Sequence, residues 1–187
     1  MHHTGTETNV AGRKSHIASG DFTSVVVHRD QVYAANHGDT QIQVFQHHDT
    51  SSPRWRKTRS IGHDLVGKDV TLTLSISNNQ LKCCSAGDGS IKVYSLSGEL
   101  LQTYGTLGPG DAGRLKCPFI SDDDGSVLIA DGGNNRLQVM SEQGEFNILQ
   151  LQPPVARPGS AVLFNNQLYV MTSPLHADRG FICKYSC

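Results

Sequence analysis

No apolar run in the 187-residue sequence approaches the roughly 20 residues that cross a bilayer. The first twenty residues, Met1 to Gly20, are polar and mixed and lack the apolar centre of a signal peptide. Both features point to a cytoplasmic chain with no membrane partner. Charge of one sign is not in excess either. A formal net charge of −1 gives no global electrostatic pull towards nucleic acid or an anionic surface. Cysteine is sparse and badly spaced for chemistry. Cys83, Cys84, Cys117, Cys183 and Cys187 are odd in number and contain no C-x-x-C pair, so a disulfide framework or structural zinc site is not expected. Cys83 and Cys84 adjoin within an apolar run, where a strand sends them to opposite faces as reduced, packed thiols. Sustained helical periodicity is missing as well.

Glycine is plentiful. The 19 glycines fall mostly in short clusters between apolar runs, the punctuation of many short strands. Three of the segments they bound align without a gap. Gln31-Val32-Tyr33-Ala34-Ala35 leads through 36–41 to Ile42-Gln43-Val44-Phe45. Gln80-Leu81-Lys82-Cys83-Cys84 leads through 85–90 to Ile91-Lys92-Val93-Tyr94. Ser126-Val127-Leu128-Ile129-Ala130 leads through 131–136 to Leu137-Gln138-Val139-Met140. A fourth begins alike at Gln167-Leu168-Tyr169-Val170-Met171, then carries a longer loop, Thr172 to Gly180, before Phe181-Ile182-Cys183. The repeat spacing, about 45 to 50 residues, is that of four-stranded propeller blades.

Each unit supplies the other strands a blade requires. Inner apolar runs lie at Val25–Val27, Leu74–Ile76, Pro118–Ile120 and Ala161–Leu163. Tight turns follow at Arg29-Asp30, Asn78-Asn79, Asp122–Gly125 and Asn165-Asn166. More polar outer strands close the first three units at Trp55–Ile61, Leu100–Tyr104 and Phe146–Leu149. The expected fold is all-β: a propeller of about four blades over 22–66, 67–112, 113–155 and 156–187, after a polar segment at 1–21.

The third unit resembles an NHL repeat. A glycine-rich link, Gly105 to Ala112, precedes Gly113-Arg114-Leu115-Lys116-Cys117-Pro118, which is similar to the family's entry to the inner strand. Val127 to Asp131, Asn134-Asn135-Arg136-Leu137-Gln138-Val139 and Gly144 follow the same pattern, with Asn135 where the family's name puts a histidine. The second unit has Ser85 and Ser90 where the family favours Asp and Arg. The resemblance, to NHL propellers of the TRIM-NHL type, covers roughly 22 to 187. It implies about six blades in a full ring, so four NHL-like blades make an incomplete ring, unless residues around Gly12 to Ile17 pair with the last blade and close a small one. An unpaired blade edge would favour self-association.

Candidate sites divide between turns and loops. Asp131, Asn134 and Arg136 read as a structural set, in which Asp and Asn satisfy a tight turn and Arg pairs with Asp. Loops between second and third strands share one end of the blades, and loops carry function. Asn36, His37, Asp39, Asp88, Asn135, His176, Asp178 and Arg179 are therefore the candidate binding residues. The basic run Arg54 to Arg59 around Trp55 suits phosphate neutralisation and base stacking, but also a charge-protected edge strand. His47-His48-Asp49 lacks metal-ligand spacing, and Asp122 to Gly125 is half a calcium loop without its later glutamate. No nucleophile elbow, phosphate loop or catalytic triad is present, so no catalytic residue, metal or cofactor is assigned.

The functional expectation is a non-catalytic interaction module, as the resemblance to the substrate- or RNA-recognition region of TRIM-NHL ubiquitin ligases implies. Its partner would be a protein or a single-stranded RNA, and any ligase activity would need a RING region that these residues do not contain. The alternatives are a propeller enzyme of the amidating-lyase or lactonase kind, or a degenerate fragment without independent function.

Overall fold

The computed structural model describes residues 18, 20–36, 41–49, 52–62, 72–116, 118–123, 125–173 and 180–186. Four antiparallel meanders follow one another along the chain. Blade 1 comprises β1 (Phe22–His28), β2 (Gln31–Asn36), β3 (Ile42–Asp49) and β4 (Ser52–Ile61). Blade 2 comprises β5 (Leu72–Ser77), β6 (Gln80–Ser85), β7 (Ser90–Ser95) and β8 (Leu100–Tyr104). A short parallel pair, β9 (Thr106–Leu107) and β10 (Arg114–Leu115), links it to the next blade. Blade 3 comprises β11 (Pro118–Asp123), β12 (Ser126–Asp131), β13 (Arg136–Met140) and β14 (Phe146–Leu149). Blade 4 has three strands, β15 (Pro158–Phe164), β16 (Gln167–Thr172) and β17 (Phe181–Ser186). This is a four-blade β-propeller arrangement. No helix among the described residues is long and apolar enough to cross a membrane.

The strands lie where the repeat places them because each local signal has a physical counterpart. Asn78 and Asn79, and again Asn165 and Asn166, all take positive φ between 50° and 57°. Positive φ at both central residues is the twist of a two-residue hairpin that matches its flanking strands, and asparagine tolerates it. From sequence, residues 105–112 read as a glycine-rich link between blades. The structure instead folds it back, with the Thr106 amide donating to the Gly113 carbonyl at 3.0 Å and the Gly108 amide to the Leu115 carbonyl at 2.9 Å. A two-residue strand pair is too short to leave a periodic signature, so tertiary contact decides it.

The inner strands β1, β5, β11 and β15 pack side by side in that order. Alternation along each second strand divides its side chains between two neighbours. Tyr33 and Ala35 of blade 1 meet Leu81 and Cys83 of blade 2. Cys84 of blade 2 meets Val127 and Ile129 of blade 3, and Leu128 and Ala130 of blade 3 meet Leu168 and Val170 of blade 4. Each buried aliphatic side chain is worth about 1.5–3 kcal/mol, so these junctions rather than the single sheets hold the blades together. Closure through Gly12 to Ile17 falls outside the described residues.

Cys83 and Cys84 point into different junctions and are both fully buried, neither of them in a disulfide. Burial pushes the Cys84 thiol well above its usual range, with Cys83, Asp88 and Asp131 nearby adding to the effect. Thiolate is the reacting species, so Cys84 resists alkylation in the folded protein. Peptide-resolved mass spectrometry after iodoacetamide treatment should find Cys183, half-buried in β17, modified before Cys83 and Cys84. Equal rates at all three would show that blade 2 opens readily. Cys117 and Cys187 lie outside the described residues.

Candidate functional site

Two polar constellations stand out, and they lie at opposite ends of the blades. The first surrounds Asp131, the last residue of β12, whose side chain is completely buried. One carboxylate oxygen accepts the Lys116 amide at 2.7 Å. The other accepts Asn134 Nδ2 at 2.8 Å, Arg136 Nε at 3.0 Å and Gln138 Nε2 at 3.0 Å. A buried carboxylate is tolerated when its lone pairs are satisfied this fully.

The donors in turn hold the link between blades. Arg136 reaches the carbonyls of Gly110, of Asp111 at 3.0 Å and of Arg114 at 2.7 Å. Asn134 donates to the Gly108 carbonyl at 3.0 Å. Gln138 accepts the Gly113 amide at 2.9 Å and donates to the Arg114 carbonyl at 3.1 Å. The set is a clamp, tying residues 108–116 down onto blade 3. Gln138 belongs to it although only its neighbours were singled out from sequence. Its signal was present: a polar residue recurs between two apolar ones in the third strands of blades 1 to 3, as Gln43, Lys92 and Gln138.

The described rim residues are occupied in shaping their loops. Asp88 Oδ1 accepts the Ser90 amide at 3.0 Å and the Ser90 hydroxyl at 2.7 Å. Asn135 takes φ 55° after the 3₁₀ turn Gly132–Asn134, and its Oδ1 accepts the Arg157 amide at 3.0 Å. Asn36 closes β2 and is half-buried. His37, Asp39, His176, Asp178 and Arg179 lie outside the described residues.

The basic run is divided as well. Trp55 packs against the small cluster of Val32, Ala34 and Phe45, while Arg56 and Lys57 are exposed. Arg59 crosses to blade 2, donating to the Leu96 carbonyl at 2.7 Å and to Gln31 Oε1 at 3.0 Å. It also lies beside the Tyr33 hydroxyl, whose pKa burial raises and Arg59 partly restrains. One of the run's cations is therefore a brace between blades. The side chains of Arg54, His47, His48, Asp49, Asp122 and Asp123 lie outside the described set. Among the described residues no group of three or more His, Cys, Asp or Glu is arranged to hold a metal ion.

The second constellation was not anticipated from sequence. A cavity of about 270 Å³ opens between blades 2 and 3, beside the turns at Asn78, Gly125 and Ser141–Gln143. Amides line it at Gln80, Gln102 and Gln143, hydroxyls at Tyr104 and Ser141, and Met140 and Val93 supply its apolar wall. Lys82 also lines it, although only 5% exposed, and its ammonium donates to Ser77 Oγ. Asn78 Nδ2 donates to Glu142 across the mouth, joining the two blades there. Its residues come from four strands and three turns of two blades, so no short sequence window contains them. Chemically the cavity offers many neutral hydrogen-bonding groups, one cation and one carboxylate.

No family model matches the chain, and no curated protein matches it. Solved structures do match. The computationally designed Ika4 protein aligns with 97% of this chain and 99% of its own at a TM-score of 0.59 and 14% identity. Streptogramin B lyase aligns with 89% of this chain at a TM-score of 0.63 and 17% identity, and the alignment covers 54% of the lyase. Glutaminyl cyclase from Myxococcus xanthus aligns with 89% of this chain and 67% of its own at a TM-score of 0.52 and 14% identity. The chain thus spans only about half the length of the lyase. At such identities the likeness is one of fold: this is an all-β chain of the propeller kind, whose structural neighbours include a lyase and a cyclase.

Proposed function

We propose that the chain is a non-catalytic recognition module, and that a segment of a protein partner is held in the cavity between blades 2 and 3. The observation that carries this reading is the lining of that cavity. Amides and hydroxyls from two blades converge there with a buried lysine, the chemistry that reads an extended peptide's backbone and a carboxylate or amide side chain. The sequence resemblance to TRIM-NHL recognition domains supports the same class of role, with single-stranded RNA as the other partner it implies.

Peptides selected from a random display library on the isolated chain test the idea. Their affinity should fall by about tenfold or more in the double variant Lys82→Met, Gln102→Ala, at unchanged far-ultraviolet circular dichroism. Peptides that bind both forms equally would move recognition away from the cavity, towards the loops at 37–40 and 174–179. A propeller enzyme is the second reading, favoured by the lyase and cyclase among the structural neighbours. Metal analysis of the purified protein separates the two, since stoichiometric zinc or calcium would favour the enzyme.

A further inference from the structure

Arg114, Lys116 and Arg157 are exposed, and all three are fastened to the loop at 132–135. The Arg114 carbonyl accepts Asn134 Nδ2 at 3.4 Å, and the Lys116 carbonyl accepts the Gly133 amide at 2.9 Å. From the other side, the Arg157 amide donates to Asn135 Oδ1 at 3.0 Å. Two blade links far apart in sequence thus set their cations around one short turn. Gly133 guides the lysine further. A Cβ there would lie 2.5 Å from Lys116 Cγ, so the aliphatic stem of Lys116 runs over the bare glycine.

The cations that brace this fold are engaged with it. Arg136 pairs with the Asp131 carboxylate at 3.0 Å, and Arg59 donates to the Leu96 carbonyl and to Gln31. The three rim cations differ: among the described residues no carboxylate pairs with any of them. Arg114 gives one N–H to Thr106 Oγ1 at 3.0 Å. Asp131 is taken up by its four donors, which leaves Asp111 as the exposed carboxylate of the same link. The cluster therefore keeps an excess of positive charge.

Arg157 is also held in an unfavourable conformation. Its φ of 44° lies in the left-handed region, which asparagine fills at Asn78, Asn79, Asn165 and Asn166. An exposed arginine at such a position, with no carboxylate beside it, points to a use for the guanidinium outside the fold.

We propose that Arg114, Lys116 and Arg157 receive a phosphorylated side chain of a protein partner. A phosphomonoester carries a charge of about −1.5 to −2 and has strong acceptor oxygens, which the excess of cations here complements. Arginine forks bind such groups through paired N–H···O bonds, and arginine clusters recognise phosphorylated segments in this way. Single-stranded RNA fits less well. It calls for a groove that tracks successive phosphates and for aromatic platforms, whereas these cations gather at Gly132–Asn135, a turn without an aromatic residue. The Asp131 clamp acquires a second role here, because holding 108–116 on blade 3 also holds Arg114 and Lys116 at the site. Asn135 does the same for Arg157. The site lies at the other end of the blades from the cavity beside Lys82 and does not depend on it.

Degenerate peptides centred on phosphoserine, and the same peptides unphosphorylated, test this by fluorescence anisotropy with the full chain. Wild type should bind the phosphorylated set about tenfold more tightly or better. Arg114→Gln with Lys116→Gln should abolish that preference at unchanged far-ultraviolet circular dichroism. Arg157→Gly should weaken phosphopeptide binding by about three- to tenfold, with an unfolding midpoint at or above wild type, because glycine adopts the positive φ freely. Arg56→Gln with Lys57→Gln, on exposed positions of β4, should leave binding unchanged. Equal affinity of wild type for the two peptide sets overturns the proposal, as does a preference that survives loss of the rim cations. A lowered midpoint with unchanged affinity in Arg157→Gly would make that residue a brace, and would also overturn it. Loss of the preference in Lys82→Met instead would place the phosphate in the cavity, sinking this site while leaving the cavity as a recognition site. Tighter binding of oligouridylate than of phosphopeptides at these cations would make the partner an RNA and overturn the proposal as well.

Discussion

Replacing Asp131 with alanine is expected to lower the free energy of unfolding by about 3–5 kcal/mol, the scale for removing one partner of a buried charged pair. The carboxylate accepts from the Lys116 amide, Asn134, Arg136 and Gln138, and all four donors lose their acceptor at once. An unsatisfied buried donor costs about 1–3 kcal/mol by itself, so relaxation and water entry must already be large to hold the total to that figure. Arg136→Ala should cost less, about 1–2 kcal/mol, because the carboxylate keeps three donors and the guanidinium lies closer to solvent. Urea denaturation of both variants, with the slope checked for constancy, measures the difference. A loss below about 1 kcal/mol in Asp131→Ala would mean that the link at 108–116 is not held by this clamp.

The second large effect is expected at Gly89. Its φ of +63° is already unfavourable for a side chain. A Cβ there would also lie 2.6 Å from the Leu107 Cα and 2.8 Å from the Leu115 carbonyl oxygen, both main-chain atoms of the short parallel pair. Backbone cannot swing aside as a flexible side chain can, so Gly89→Ala should cost about 2–4 kcal/mol, combining strain with displacement of β9 and β10. Gly108 supplies the control. Its φ is +136°, but nothing lies within 4 Å of the added Cβ. Gly108→Ala therefore carries the conformational penalty without the clash. Thermal unfolding of the two variants should separate them clearly. Equal midpoints would show that the close approach at Gly89 relaxes without cost.

The strand plan was legible because its signals are local. A hairpin turn of two asparagines, an alternating run of five residues and a glycine after an outer strand each act within one blade. The blade therefore announces itself wherever the chain repeats it. Even the division of Cys83 and Cys84 between two junctions follows from strand alternation alone. Gln138 was harder to see. A glutamine between Leu137 and Val139 looks like a solvated position, and only the carboxylate of Asp131 and the folded link make it a buried one. The rim loops show local chemistry turned to local use. Asp88 and Asn135 carry the polar chemistry of a binding surface, yet in the structure that chemistry is directed at the amides of Ser90 and Arg157.

Residue order by itself determined that this protein is a row of four antiparallel units, since period, turn chemistry and alternation are properties of neighbours along the chain. Tertiary structure alone decided where its groups converge. The cavity beside Lys82 draws on β6, β7, β8 and the turns of blade 3, and the Asp131 clamp draws on a link, a turn and a strand. Contacts within a unit are written in sequence spacing. Contacts between units depend on how twisted sheets pack, and no spacing records that.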